Sequence, residues 1–286
     1  MNERMAFPVT EEHVRVYAEE GAVLVPGAFS AEWVECLTSA IDRIVARVRA
    51  EGIEVFAGSA TQNPLSMDDR DGAVILRNLM HHAPEFDDWL RASDAARIVA
   101  TVIGAEKVRF WMDASFLKEG TQPGTATPWH NDVCTFPFWG EHMPSFWVAL
   151  TDVPEDNAPM QTLIGSHRDP FRYHSPLSRQ DIPTPVGYRP WAELLARVEA
   201  ADAPIRVWPA RAGDAMLIHP KTIHASLPRL STAPGRRLAF TTRWLGSDVI
   251  WAPDELAVRI PSLDNHPLMR RGAPPPEALF PVLWPR

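Results

Sequence analysis

His130 and Asp132 stand two residues apart in Pro128-Trp129-His130-Asn131-Asp132, just ahead of an apolar run from Phe136 to Leu150. Their flanks are β-forming and aromatic, and on an extended strand alternate side chains share a face. An imidazole and a carboxylate on one face are two of the three ligands in the 2-His-1-carboxylate arrangement that holds non-haem Fe(II). Alone, the pair is a weak signal, because a hydrogen-bonded couple or a solvated turn accounts for the same spacing. Downstream, His219 and His224 are both candidates for the third ligand, each with an ordinary core histidine as its alternative. Arg236 and Arg237 then open the strand Leu238-Ala-Phe-Thr-Thr-Arg-Trp244. A guanidinium aimed from that strand into a metal pocket grips a carboxylate through two parallel hydrogen bonds.

Such residues need a scaffold, and the chain changes character near residue 107. Before it the pattern is helical. Thr10 reads as an N-cap ahead of Glu11 and Glu12, with Gly21 as the stop. Ser30 caps a helix to about residue 50, with Trp33, Leu37, Ile41 and Ile44 at helical spacing. Residues 22–26 read as a short strand, 53–56 as a candidate strand, 60–72 as a polar loop, and 84–90 and 93–103 as helices. From residue 108 onward short strands alternate with Pro, Gly, Asn and Asp: 108–117, 127–134, 145–151, 160–163, 205–207, 215–219 and 238–244. Many short strands at this spacing predict an antiparallel sandwich or barrel. Residues 169–203 hold five prolines and a helix near 191–199, which predicts an insertion of the kind that forms lids. The expected organisation is one domain over 1–286: a helical scaffold (1–106), a strand-rich core (107–251) and a proline-rich tail (252–286) that wraps the core.

Composition narrows the partners. A formal net charge of −8 argues against nucleic acid or an anionic membrane surface. The basic charge is almost all guanidinium, since Lys107, Lys118 and Lys221 are the only lysines. Cys36 and Cys134 form no metal or redox spacing, which fits a reducing compartment. The first residues lack a basic start followed by an apolar core, and no window approaches the ~18 apolar residues of a membrane span. A cytoplasmic protein with a small-molecule substrate is the expectation.

At the residues quoted above the sequence resembles the phytanoyl-CoA dioxygenase family of Fe(II)/2-oxoglutarate oxygenases. The resemblance runs from Thr10 to Trp251. It passes through Glu20-Gly-Ala-Val-Leu-Val-Pro-Gly27, Trp129-His-Asn-Asp132, Trp147-Val-Ala-Leu150, Glu155-Asp-Asn157, Ile164-Gly-Ser-His-Arg168, Gly213-Asp214, His224-Ala-Ser226 and Arg237-Leu-Ala239. It implies a mainly β fold with flanking α-helices around a double-stranded β-helix, the cupin-like jelly-roll. It implies His130, Asp132 and His224 as metal and catalytic ligands, with His219 outside the set. Arg237 becomes the clamp for 2-oxoglutarate, with Arg236 as the alternative if the register slips by one. Ser226, Trp147 and Lys118 fall at positions lining the cosubstrate pocket. Two departures stand out: Asn131 where the family often has Gln, and Ala158-Pro159 where a glycine usually follows Asn157.

The resemblance further implies that Fe(II), 2-oxoglutarate and O2 are used together, with succinate and CO2 released and a substrate C–H bond hydroxylated. The retained carboxylate of Asp132 disfavours halogenation, which needs that coordination position for chloride. Desaturation, epimerisation and cyclisation use the same ligands and differ in substrate placement. A non-catalytic metal-binding jelly-roll is the alternative of another class. A metal-dependent hydrolase would leave Arg237 and Ser226 without a role. Phe136, Phe138 and Trp139 are candidates for an apolar substrate pocket or for core, and Arg243 shares strand phase with Arg237.

Overall fold

The computed structural model describes residues 6–56, 64–70, 72–119, 126–230 and 235–285. The chain opens with α1 (Glu11–Glu20), β1 (Ala22–Val25) and the long α2 (Ala31–Glu51). It continues through β2 (Ser66–Arg70), β3 (Ala73–Arg77), α3 (Pro84–Ala92) and α4 (Ala95–Ile103). The strand-rich part begins with β4 (Val108–Lys118), β5 (Thr127–His130), β6 (Phe138–Trp139), β7 (Ser145–Ala149) and β8 (Met160–Leu163). Next come β9 (Arg172–His174), β10 (Tyr188–Pro190), α5 (Trp191–Val198), β11 (Ile205–Trp208), β12 (Ala215–Ile218) and β13 (His224–Ser226). The chain closes with β14 (Arg237–Leu245), β15 (Ile250–Trp251), α6 (Pro261–Asp264) and β16 (Val282–Trp284).

Two antiparallel sheets make a cupin-like jelly-roll. The larger runs β1-β12-β7-β14-β4-β3-β2, with β16 on β4, and the smaller runs β11-β8-β13-β5. Alternation along β14 shows how one sequence serves both faces. Leu238 and Phe240 point outward into a core shared with Trp89 of α3, Ile98 and Val99 of α4 and Ile41 of α2. Arg237, Thr241 and Arg243 point inward and line the cavity between the sheets. On β7, Phe146 and Val148 join the outer core while Ser145 and Trp147 line the cavity. Apolar alternation thus fixes the phase that turns these polar side chains inward, and slipping the strand by one residue would exchange the two sets.

Several expectations change. Residues 53–56 form a 3₁₀ turn directly after the C-cap Gly52, and among the described residues no strand pairs with them. The polar stretch 60–72 lies partly outside the described residues, but its second half is β2, a strand rather than a loop. Its acidic side chains Asp68 and Asp69 suit a sheet edge, where one flank meets water. The strand expected over 127–134 ends at His130. Asp132 sits in the turn beyond it, whose carbonyl accepts the Thr135 N–H and hydroxyl at 3.0 and 2.9 Å. His224–Ser226, not foreseen as a strand, bridges β5 and β8. The tail adds β16 to the sheet, beside β4. Ala158 takes up the missing glycine's conformation, with φ 56° at a fully buried position.

Candidate active site

His130 ends β5 and His224 begins β13, and the two are direct partners across the ladder. Their rings lie 4.1 Å apart, centroid to centroid. His130 Nδ1 bonds the Pro128 carbonyl at 2.8 Å and His224 Nδ1 bonds the Thr222 carbonyl at 2.9 Å. A carbonyl only accepts, so each Nδ1 carries the proton and each Nε2 is left as a bare lone pair. Asp132 Oδ1 lies 3.6 Å from His130 Nε2. One ligand atom from each of the three buried residues falls within 4.8 Å of the others. The turn therefore achieves what the expected strand would have: it brings the carboxylate back beside the imidazole. Two neutral nitrogens and one carboxylate oxygen are a donor set that suits Fe(II).

The surroundings fix the charge states. Burial pushes the His224 imidazole down to about 4, helped by the nearby His130, so it is neutral and able to ligate at ordinary pH. Burial alone would raise the Asp132 carboxyl. The Arg243 guanidinium beside it overcomes this and holds the group well below the usual carboxylate range. Arg243 Nη2 approaches Asp132 Oδ2 at 3.4 Å, and the Ser145 hydroxyl donates to the same oxygen. Oδ2 is thereby occupied, and Oδ1 remains on the histidine side.

The cavity has a volume of about 1050 Å³, and its wall includes the three clustered residues together with Arg237, Ser226, Trp147 and Lys118. Arg237 is 2% exposed, stacks 5.1 Å from the Trp147 ring centroid, and leaves Nε and Nη2 without partners. The Thr241 hydroxyl, two positions inward of Ala239 on the same face, is equally unpartnered. Arg236 turns the other way and forms a two-pronged pair with Asp42 of α2 at 2.6 and 2.7 Å. Lys118 Nζ donates to Ser226 Oγ and lies 3.5 Å from Thr127 Oγ1. Burial and the adjacent Arg237 push the Lys118 ammonium down to about 6. Unpartnered donors converging at a buried cationic end fit an incoming carboxylate.

The remaining candidates separate. His219 lies away from the cluster, bonded through Nε2 to Glu141 at 3.1 Å and packed against Tyr17 and His167. Phe136 lines the cavity, Phe138 is core beside Trp251 and Phe280, and Trp139 carries the Arg172 guanidinium 3.6 Å from its ring centroid. Ser145 and Thr241 escaped the sequence reading. The available signal was phase, since each lies two residues from an inward-facing neighbour, Trp147 and Arg243.

Fold and cavity define a cupin-like jelly-roll that carries its polar cluster in the mouth. Residues 17–238 match the family described as Phytanoyl-CoA dioxygenase (PhyH), and the chain belongs to that family. It is 30% identical over 110 residues to Phytanoyl-CoA dioxygenase domain-containing protein 1 of Danio rerio, a stretch covering 38% of this chain and 35% of that relative. The chain thus spans about a third of the length of the curated relative it matches. Its fold is similar to that of SnoK, a non-heme alpha ketoglutarate dependent carbocyclase from nogalamycin biosynthesis, with a TM-score of 0.70, 23% identity and 96% of each chain covered. It is also similar to SnoN, an epimerase of the same biosynthesis, at TM-score 0.68, 22% identity and coverage of 96% and 95%. SnoN has been crystallised with Fe3+, alpha ketoglutarate and nogalamycin RO. EctD from S. alaskensis matches at TM-score 0.62 and 16% identity, over 86% of this chain and 79% of that one.

Proposed function

We propose that this protein is an Fe(II)- and 2-oxoglutarate-dependent oxygenase, one catalytic domain that hydroxylates a C–H bond of a small-molecule substrate in the cytoplasm. The observation that carries it is the sharing of one cavity by His130, Asp132 and His224 with the unpartnered guanidinium of Arg237. His130 and His224 would present Nε2 to the metal, and Asp132 would present Oδ1. Arg237 would receive the distal carboxylate of 2-oxoglutarate, supported by Lys118 and Ser226, with Trp147 flanking the guanidinium. When bound, ferrous iron with 2-oxoglutarate and dioxygen supplies the oxidising power, and succinate and CO2 leave as coproducts.

The chain's own contribution is placement. Ser145 and Arg243 hold Asp132 so that it offers one oxygen. The backbone carbonyls of Pro128 and Thr222 hold the imidazole tautomers. The buried walls exclude water from the reacting atoms. The same residues serve cyclisation, epimerisation or desaturation, a reading supported by the carbocyclase and epimerase among the similar folds.

The test is anaerobic addition of Fe(II) and 2-oxoglutarate. A visible charge-transfer band should develop, and admitting air should release succinate. Asp132→Ala and His224→Ala should abolish both. Retention of both by either variant refutes the ligand assignment, and no band in the parent protein points to a binding protein instead.

A further inference from the structure

The cavity is larger than its clustered end requires. Pockets for drug-sized ligands span roughly 300–1,000 Å³, and this one reaches about 1050 Å³. A small diacid at Arg237 and Lys118 fills only the inner end. The outer part is walled by Trp111, Met112, Phe116 and Phe136 from the barrel. Leu177 of the insertion and Val258 of the tail complete it, and they are 47% and 52% exposed. These two apolar side chains extend the apolar wall to the water-facing rim of the cavity. Trp111 is held edge-to-face by Phe136 at 4.8 Å and 87° and by Phe138 at 5.0 Å and 74°. Its ring is thus a fixed wall against which another ring can pack.

Two arginines of the outer part already face carboxylates. Arg77 pairs with Asp68 at 2.9 Å and Arg259 with Asp264 at 2.8 Å. Burial lowers the His81 imidazole, which disfavours its charged form. An anionic group entering here would meet guanidinium charge that a carboxylate already offsets. Coenzyme A, with its several phosphates, would meet the same offset at every cation of the outer wall.

From this the geometry points to a neutral, ring-built apolar molecule of drug-like size as the substrate class, and against acyl-CoA or any other polyanion. The inference rests on the oxygenase reading above, because it assigns the inner cations to 2-oxoglutarate.

The experiment loads the full-length protein with Ni(II) and 2-oxoglutarate and follows tryptophan fluorescence during titration. The probes are progesterone, the steroid carboxylic acid with the same ring skeleton, and palmitoyl-CoA. Progesterone should bind with Kd below about 100 μM, and at least about tenfold more tightly than either anion. Trp111→Ala should weaken that binding about tenfold and leave the 2-oxoglutarate titration unchanged. Leu177→Asp and Val258→Asp, both at exposed positions the fold tolerates, should weaken it likewise. The inference is overturned if the acid or palmitoyl-CoA binds as tightly as progesterone. It is equally overturned if progesterone gives no response up to about 1 mM, or if all three variants bind as the parent does. The Fe(II) chelate band keeps the two readings apart. A band without steroid binding removes only the substrate class, and steroid binding without a band removes the oxygenase.

Discussion

Lys118 and Arg237 are direct cross-strand partners on β4 and β14, two cations 3% and 2% exposed with no described carboxylate paired to either. Burying like charges together is costly, and the lysine responds by giving up its proton. Their side chains point inward because Leu117 and Leu238, one position along each strand, belong to the outer core. The apolar pattern therefore forces two basic groups into a site that an anion would complete.

Cosubstrate binding should then take up a proton. Free Lys118 titrates near 6, and a carboxylate beside it would raise that value. The bound state holds the extra proton, so affinity tightens as pH falls toward 6 and levels off below. The KM for 2-oxoglutarate should rise by up to about tenfold per pH unit above that point. Lys118→Met should flatten the profile. A parent KM that stays constant from pH 6.5 to 8.5 would remove this role.

The two adjacent arginines make a sharp contrast. Arg237→Ala should raise the 2-oxoglutarate requirement by about a hundredfold or more, the loss expected for a buried, charge-assisted contact. Arg236→Ala breaks a half-exposed ion pair with Asp42, worth about 0.5 kcal/mol, and should leave KM near the parent value. Succinate-release kinetics on both variants decide the matter, and the opposite ranking would assign the clamp to Arg236.

Ser145 and Arg243 both act on Asp132 Oδ2, so their loss should be felt at the metal first. Ser145→Ala should weaken Fe(II) binding by about 10–100-fold, as removal of partners behind a ligand does. At saturating metal its 2-oxoglutarate titration should match the parent. Arg243→Met leaves the buried carboxylate without its cation, so the metal-free protein should melt at a lower temperature, with added metal recovering part of the loss. Unchanged metal affinity in Ser145→Ala would show that its hydrogen bond positions nothing.

How legible the site was depends on distance along the chain. The phase of β14 could be read from Leu238 and Phe240, because apolar alternation needs only neighbours. The pairing of His130 with His224 followed from a resemblance rather than from any local rule. The Arg243–Asp132 contact joins residues more than a hundred positions apart, and no spacing announces it. Asp132 was read onto a strand, yet a turn held by Thr135 gives the same proximity by another route. β2 was hidden for a different reason: Ser66-Met-Asp-Asp-Arg70 is polar because it borders water, and polarity reads as loop.

The tail closes one edge of β4 through β16, and on its way Val258, Leu263 and Leu279 join the cavity wall. The family match stops at residue 238, before any of these residues. Part of the cavity wall is therefore written outside the stretch that carries His130, Asp132 and His224. A lineage could vary that part of the wall without altering the three clustered residues. Grafting residues 252–286 between related chains is the experiment that separates the two.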